Sequence, residues 1–202
     1  MNAAAAKLFA EGFLKGYADV VGAMLSAEPA FTASDPEEAG AEAVQGALSE
    51  MPLVMQADVE GGGAIVFLTV LEDARKVSAA VMGDEPSAEP ALNEDEAATM
   101  KEIFDPCMGG GVSHFKEKYE QVIELKPTEI RLAGADAAAT LLQALSAPAV
   151  LVRCVYDVPG AVEGGQGALL FSEALEDTIP AEETGQPGVE DEVEDIVQER
   201  FG

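Results

Sequence analysis

Apolar positions along this chain follow two rhythms. Residues 1–25 are apolar with Lys7, Glu11, Lys15 and Asp19 recurring along them, which predicts a long helix. Residues 53–73, LVMQADVEGGGAIVFLTVLED, instead alternate with period two up to Asp58-Val59, turn on three glycines and alternate again to Phe67. Two such runs joined by a glycine-rich turn predict an antiparallel hairpin. Residues 152–177, VRCVYDVPGAVEGGQGALLFSEALED, follow the same course, with Asp157-Val158 and Phe171 at the matching places. The offset is 157 − 58 = 99 before the turn and 171 − 67 = 104 after it, so the second turn is longer.

The similarity extends upstream. EAVQGALS, residues 42–49, matches ATLLQALS, residues 139–146, and predicts a short helix before each hairpin. For the first of these, Ser34 or Asp35 is the expected cap and Pro36 falls in the first turn. LFAEGFL, residues 8–14, aligns with TMKEIFD, residues 99–105, placing Glu11 against Glu102 and Phe13 against Phe104. Asn93 with Glu96 three residues on predicts a capping box for the second long helix. Strands are expected near FTAS and EIRL.

The fold class expected is therefore α/β (α+β). Two pseudo-symmetric halves, about 1–91 and 92–178, would share one roughly six-stranded, largely antiparallel sheet with the long helices packed on it. The acidic stretch 179–202 is expected to be a tail or linker.

Composition narrows the partners. The chain of 202 residues is 48% hydrophobic, enough for a real core. Its 38 acidic against 11 basic residues leave a net charge of −27. Such a field repels phosphate backbones and anionic lipid, so neither nucleic acid nor membrane insertion is expected. The two cysteines are far apart and without ligand-like neighbours, and the apolar N-terminus is interrupted by charge, so a cytoplasmic location is expected.

ATMKEIFDPCMGGGVSHFKEKY, residues 98–119, carries the most specific signal. It reads as a helix yet contains Pro106 and the triplet Gly109, Gly110, Gly111, all costly in a helix interior. With the duplicated plan, this segment resembles the CheC, CheX and FliY group of chemotaxis phosphatases and the related middle domain of FliM, over residues 1–178. In that family an acidic residue, two spacers and an Asn are followed by a glycine-containing turn and later by a Pro. Glu102 and Asp105 hold the signature positions here, Gly109 to Gly111 follow, and Pro127 stands near the downstream proline. Glu11 and Leu14 are the first-half counterparts.

The resemblance implies a partner, the phosphorylated CheY-like response regulator, with CheD or flagellar switch proteins as further candidates. It implies aspartyl-phosphate hydrolysis in which the Asn orients a water. The Asn itself is replaced, by Leu14 in one half and Asp105 in the other. Leu14 cannot bond water, so the first half is expected to be structural. An ionised Asp105 only accepts hydrogen bonds, where an amide also donates, and it brings negative charge toward a phosphoryl group. The expectation is a CheC-type signalling protein that is either a weakened phosphatase or a binding or scaffold protein.

No other constellation competes. The glycine triplet lacks the Lys-Ser or Lys-Thr of a phosphate loop. His114 stands seven residues from Cys107, beyond one metal's reach. No metal site or cofactor of the protein's own is expected, and any Mg²⁺ would be carried by the partner regulator.

Overall fold

A computed structural model describes residues 3–126, 128–134, 136–145 and 149–172. The chain runs α1 (Ala3–Leu25), β1 (Ala30–Ala33), β2 (Glu37–Ala39), α2 (Ala41–Glu50), β3 (Leu53–Asp58), β4 (Ala64–Thr69) and α3 (Leu71–Met82). It continues with α4 (Glu94–Tyr119), β5 (Glu129–Leu132), α5 (Ala137–Leu145), β6 (Ala149–Val158) and β7 (Val162–Ser172). The expected acidic tail lies outside the described residues, as does Pro127.

All strands form one antiparallel sheet in the order β1-β6-β7-β4-β3-β5, with β2 also on β6. The hairpins β3–β4 and β6–β7 meet in the centre through β4 and β7. There Val66 stands opposite Leu170, flanked by Ile65 opposite Phe171 and Phe67 opposite Leu169. An offset of 104 carries Val66 onto Leu170, Ile65 onto Leu169 and Phe67 onto Phe171, so these pairs exchange about a local two-fold. Each outer strand is handed across: β1 pairs with β6, and β5 with β3.

Both faces of the sheet are covered, which is why all six residues of β4 are buried. Ile65 and Phe67 point with Leu53, Met55 and Leu169 to a core beneath α1, α3 and α4. Ala64, Val66 and Leu68 point the other way, to a smaller core beneath α2 and α5. Each large side chain so buried contributes on the order of 2 kcal/mol relative to exposure. Phe13 links the layers, with its ring 5.1 Å from that of Phe67 and 5.4 Å from that of Phe104.

The sheet has seven strands, in keeping with the roughly six expected, and the short strand β2 corrects the expected start of the short helix. Glu37, Glu38 and Ala39 pair with Leu151, Val150 and Ala149 as β2, so α2 begins at Ala41 behind Gly40, which makes no side-chain cap. The physical cause is competition for the same polar groups. Ser34 Oγ accepts the Arg153 N–H at 3.1 Å and Asp35 pairs with Lys7 at 2.8 Å, so neither is free to cap a helix. No described helix is long and apolar enough to cross a membrane.

Candidate functional site

The site is built on α4, whose start is fixed locally. Asn93 Oδ1 accepts the Glu96 N–H at 2.9 Å and Glu96 Oε2 accepts the Asn93 N–H at 3.0 Å, the capping box expected from the sequence. Glu96 Oε1 also accepts the Ser87 N–H at 3.3 Å, and Arg75 on α3 donates to the carbonyls of Glu89 and Ala91. The connection 83–93 is thereby strapped to both helices. Burial pushes the Glu96 carboxyl up, but the hydrogen bonds from Asn93 and Ser87 and the nearby Arg75 charge outweigh it and hold it below its ordinary value.

Along its length α4 lies antiparallel to α1, as the facing pairs Phe9–Gly111, Gly12–Gly110 and Gly16–Cys107 establish. A Cβ on Gly110 would stand 2.6 Å from the Gly12 carbonyl oxygen, and one on Gly111 would stand 2.4 Å from the Phe9 ring. Gly110 lets the helix backbones touch, and Gly111 makes room for the Phe9 ring. They form no turn: α4 is continuous from Glu94 to Tyr119.

Pro106 does not end the helix either. It removes the N–H that would bond the Glu102 carbonyl, at a cost of about 3 kcal/mol in an ordinary helix interior. Pro106 and Glu102 are both exposed, so water has access to that side of the helix. The inner face, with Ile103, Phe104, Cys107 and Met108, is buried and anchors the helix across the defect.

Glu102, Asp105 and Gly109 are exposed. Steps of three and then four residues hold them within one narrow arc of the helix. Neither carboxylate has a hydrogen-bond or ion-pair partner among the described residues. Beside them runs a groove of about 470 Å³, bordered by Asp105, Gly109, Lys126 and Thr128 and floored by Met108, Val112, Ile123, Leu125 and Ala57. Its far wall is pinned to the β3–β4 hairpin: Lys126 N–H donates to Asp58 O at 2.8 Å, Glu60 N–H to Glu124 O at 2.8 Å, and Val59 bridges Leu125. The structure thus places Glu102 and Asp105 on one open face. The wall with Lys126 was not anticipated; its one sequence signal is the period-two spacing of Ile123 and Leu125.

The first-half counterparts are placed differently. Glu11 is exposed, but Leu14 is buried at 6% exposure. Both border a groove of about 390 Å³ with Lys7, Lys15, Pro29 and Phe31. Where α4 offers a carboxylate, α1 offers a packed hydrocarbon.

The remaining candidates are structural. Cys107 Sγ donates to Ile103 O at 2.8 Å, and burial pushes both thiols up, Cys154 to about 12. His114 lies over Gly12, where a Cβ would meet it at 2.7 Å. No group of three or more His, Cys, Asp or Glu among the described residues is arranged to hold a metal ion.

This arrangement of sheet and paired long helices is the CheC/CheX/FliY-type fold. Thermotoga maritima FliY superposes with a TM-score of 0.69 at 15% identity, over 84% of this chain and 88% of that one. A chain of the CheX–CheY–BeF₃–Mg complex from Borrelia burgdorferi gives 0.52 at 16% identity, over 80% and 95%. A chain of the FliG–FliM complex from H. pylori gives 0.55 at 12% identity, over 85% and 94%. No protein-family model matches the chain, and no curated protein matches it.

Proposed function

We propose that this protein acts in chemotaxis or flagellar signalling by docking a CheY-like response regulator on the exposed face of α4, with weak hydrolysis of the regulator's aspartyl phosphate. The observation that carries the reading is the placement of Glu102 and Asp105, unpaired and exposed on an unbroken helix beside an apolar groove. A buried or internally bonded pair would argue for a structural role. The fold is shared with a CheX solved in complex with CheY, which supports a receiver domain as the occupant.

Glu102 supplies a carboxylate able to meet a cation of the docked regulator. Asp105 accepts a hydrogen bond from water but cannot donate one to a phosphoryl oxygen. Its charge also opposes a phosphoryl dianion: two unit charges at 4 Å repel by roughly 4 kcal/mol at an effective dielectric of 20, an upper guide for a solvated site. Hydrolysis is therefore slow beside that of an amide-bearing homologue. Mg²⁺ in the reaction belongs to the regulator.

The test follows phosphate loss from a phosphorylated CheY-type regulator with Mg²⁺. Acceleration by the native protein that vanishes in Glu102→Ala establishes the weak phosphatase. Acceleration by Asp105→Asn alone establishes a non-catalytic binding protein on the same surface. The latter is the second reading, favoured by the likeness to a chain of the FliG–FliM complex. In it the protein serves as a scaffold for a regulator, a CheD-type enzyme or a flagellar switch component.

A further inference from the structure

Of the three adjacent glycines on α4, two are required inside the molecule and one is not. Gly110 and Gly111 face α1 at distances no side chain would allow. Gly109 is exposed, its φ lies outside the left-handed region, and a Cβ built on it meets nothing within 4 Å among the described residues. Neither packing nor backbone conformation calls for glycine there, and alanine would favour the helix. The described residues of the fold thus give no reason for Gly109.

Its surroundings supply one. Gly109 sits four residues after Asp105 on the same face and forms a lip of the groove whose far wall carries Lys126. Gly46 on α2 offers a comparison: it too is exposed in mid-helix with nothing within 4 Å among the described residues, but the described surface around it is made of α2 residues alone, with no facing wall. An open helix glycine beside a two-walled apolar groove, with the Asp105 carboxylate on one side and the Lys126 cation on the other, is a place for a partner's main chain.

We infer that Gly109 is a specificity-determining contact. The bare Cα lets a backbone segment of a docked receiver domain lie directly on α4, so that one apolar side chain enters the groove over Met108, Val112 and Leu125. In this pose the partner sets a cation against Glu102 and Asp105 and an acidic group against Lys126. The inference rests on the receiver-docking reading above and adds to it the residue that limits how closely the partner approaches.

The test compares the full-length protein with Gly109→Ala and Gly46→Ala by thermal melting and by titration with a CheY-type receiver domain, with and without beryllofluoride and Mg²⁺. Both variants are expected to melt at or above the native temperature, while Gly109→Ala alone weakens binding by about tenfold or more, since an added methyl in a close contact cannot be relieved cheaply. Binding by Gly109→Ala within twofold of native would overturn the inference and leave the docking reading intact. Weakened binding together with a lowered melting temperature would also overturn it, because the glycine would then serve the fold. A native protein that binds neither form of the receiver overturns the docking reading, and the role of Gly109 with it.

Discussion

Gly12 and Gly110 meet backbone to backbone: a Cβ on the first would lie 2.7 Å from the carbonyl oxygen of the second. The obstacle on each side is main chain, which no rotamer change can move. Gly110→Ala is therefore expected to destabilise the protein by about 1–3 kcal/mol, the usual range for overpacking, despite alanine's better helix propensity. Urea unfolding checks this, and a variant at least as stable as native would show that α1 and α4 separate easily.

The acid limb of stability should depend on Glu96. Its folded pKa lies below the ordinary 4.5, so its contribution is complete above that value and is lost as pH falls through the folded one. Glu96→Gln should lower stability at neutral pH and flatten the stability decline below about pH 4.5, a window set by the reference carboxyl range. Equal acid slopes in the two proteins would remove the capping box from this role.

Both thiols should be inert in the native protein. Cys107 and Cys154 are buried at 0% and 4% exposure, and burial holds each in the neutral form well above pH 8. A thiol reagent at pH 8 is expected to label neither on the time scale in which it labels two per chain in denaturant. Rapid native labelling would mean that α4 or β6 opens readily.

Leu14 stands where α4 has Asp105, and its burial predicts a packing role. Leu14→Ala is expected to cost about 2–4 kcal/mol, in the range for truncating a buried leucine. It should leave receiver binding at α4 unchanged. A variant that keeps its stability but loses binding would move the working surface to α1.

Much of the architecture was legible because it rests on local signals. The period-two runs around the glycine turns mark β3–β4 and β6–β7, and the Asn93–Glu96 box marks the start of α4. Glu102 and Asp105 were singled out by the resemblance to the family signature, and helical geometry puts residues three apart on one face.

Elsewhere a distant partner settled the outcome. Ser34 looks like a helix cap in sequence, but Arg153, 119 residues away, takes its hydroxyl, and β6 draws residues 37–39 into the sheet. The glycine triplet reads as one feature until α1 lies against it; then Gly110 and Gly111 become packing residues and Gly109 is left open. Pro106 is costly in a helix interior and by itself leaves the course of the helix open, and the buried Ile103, Phe104, Cys107 and Met108 hold the helix through it. Propensity and periodicity act over a few residues and are written in the chain. Which polar group finds which partner, and which face stays in water, depends on contacts between segments far apart, and those exist only once the sheet and its helices have assembled.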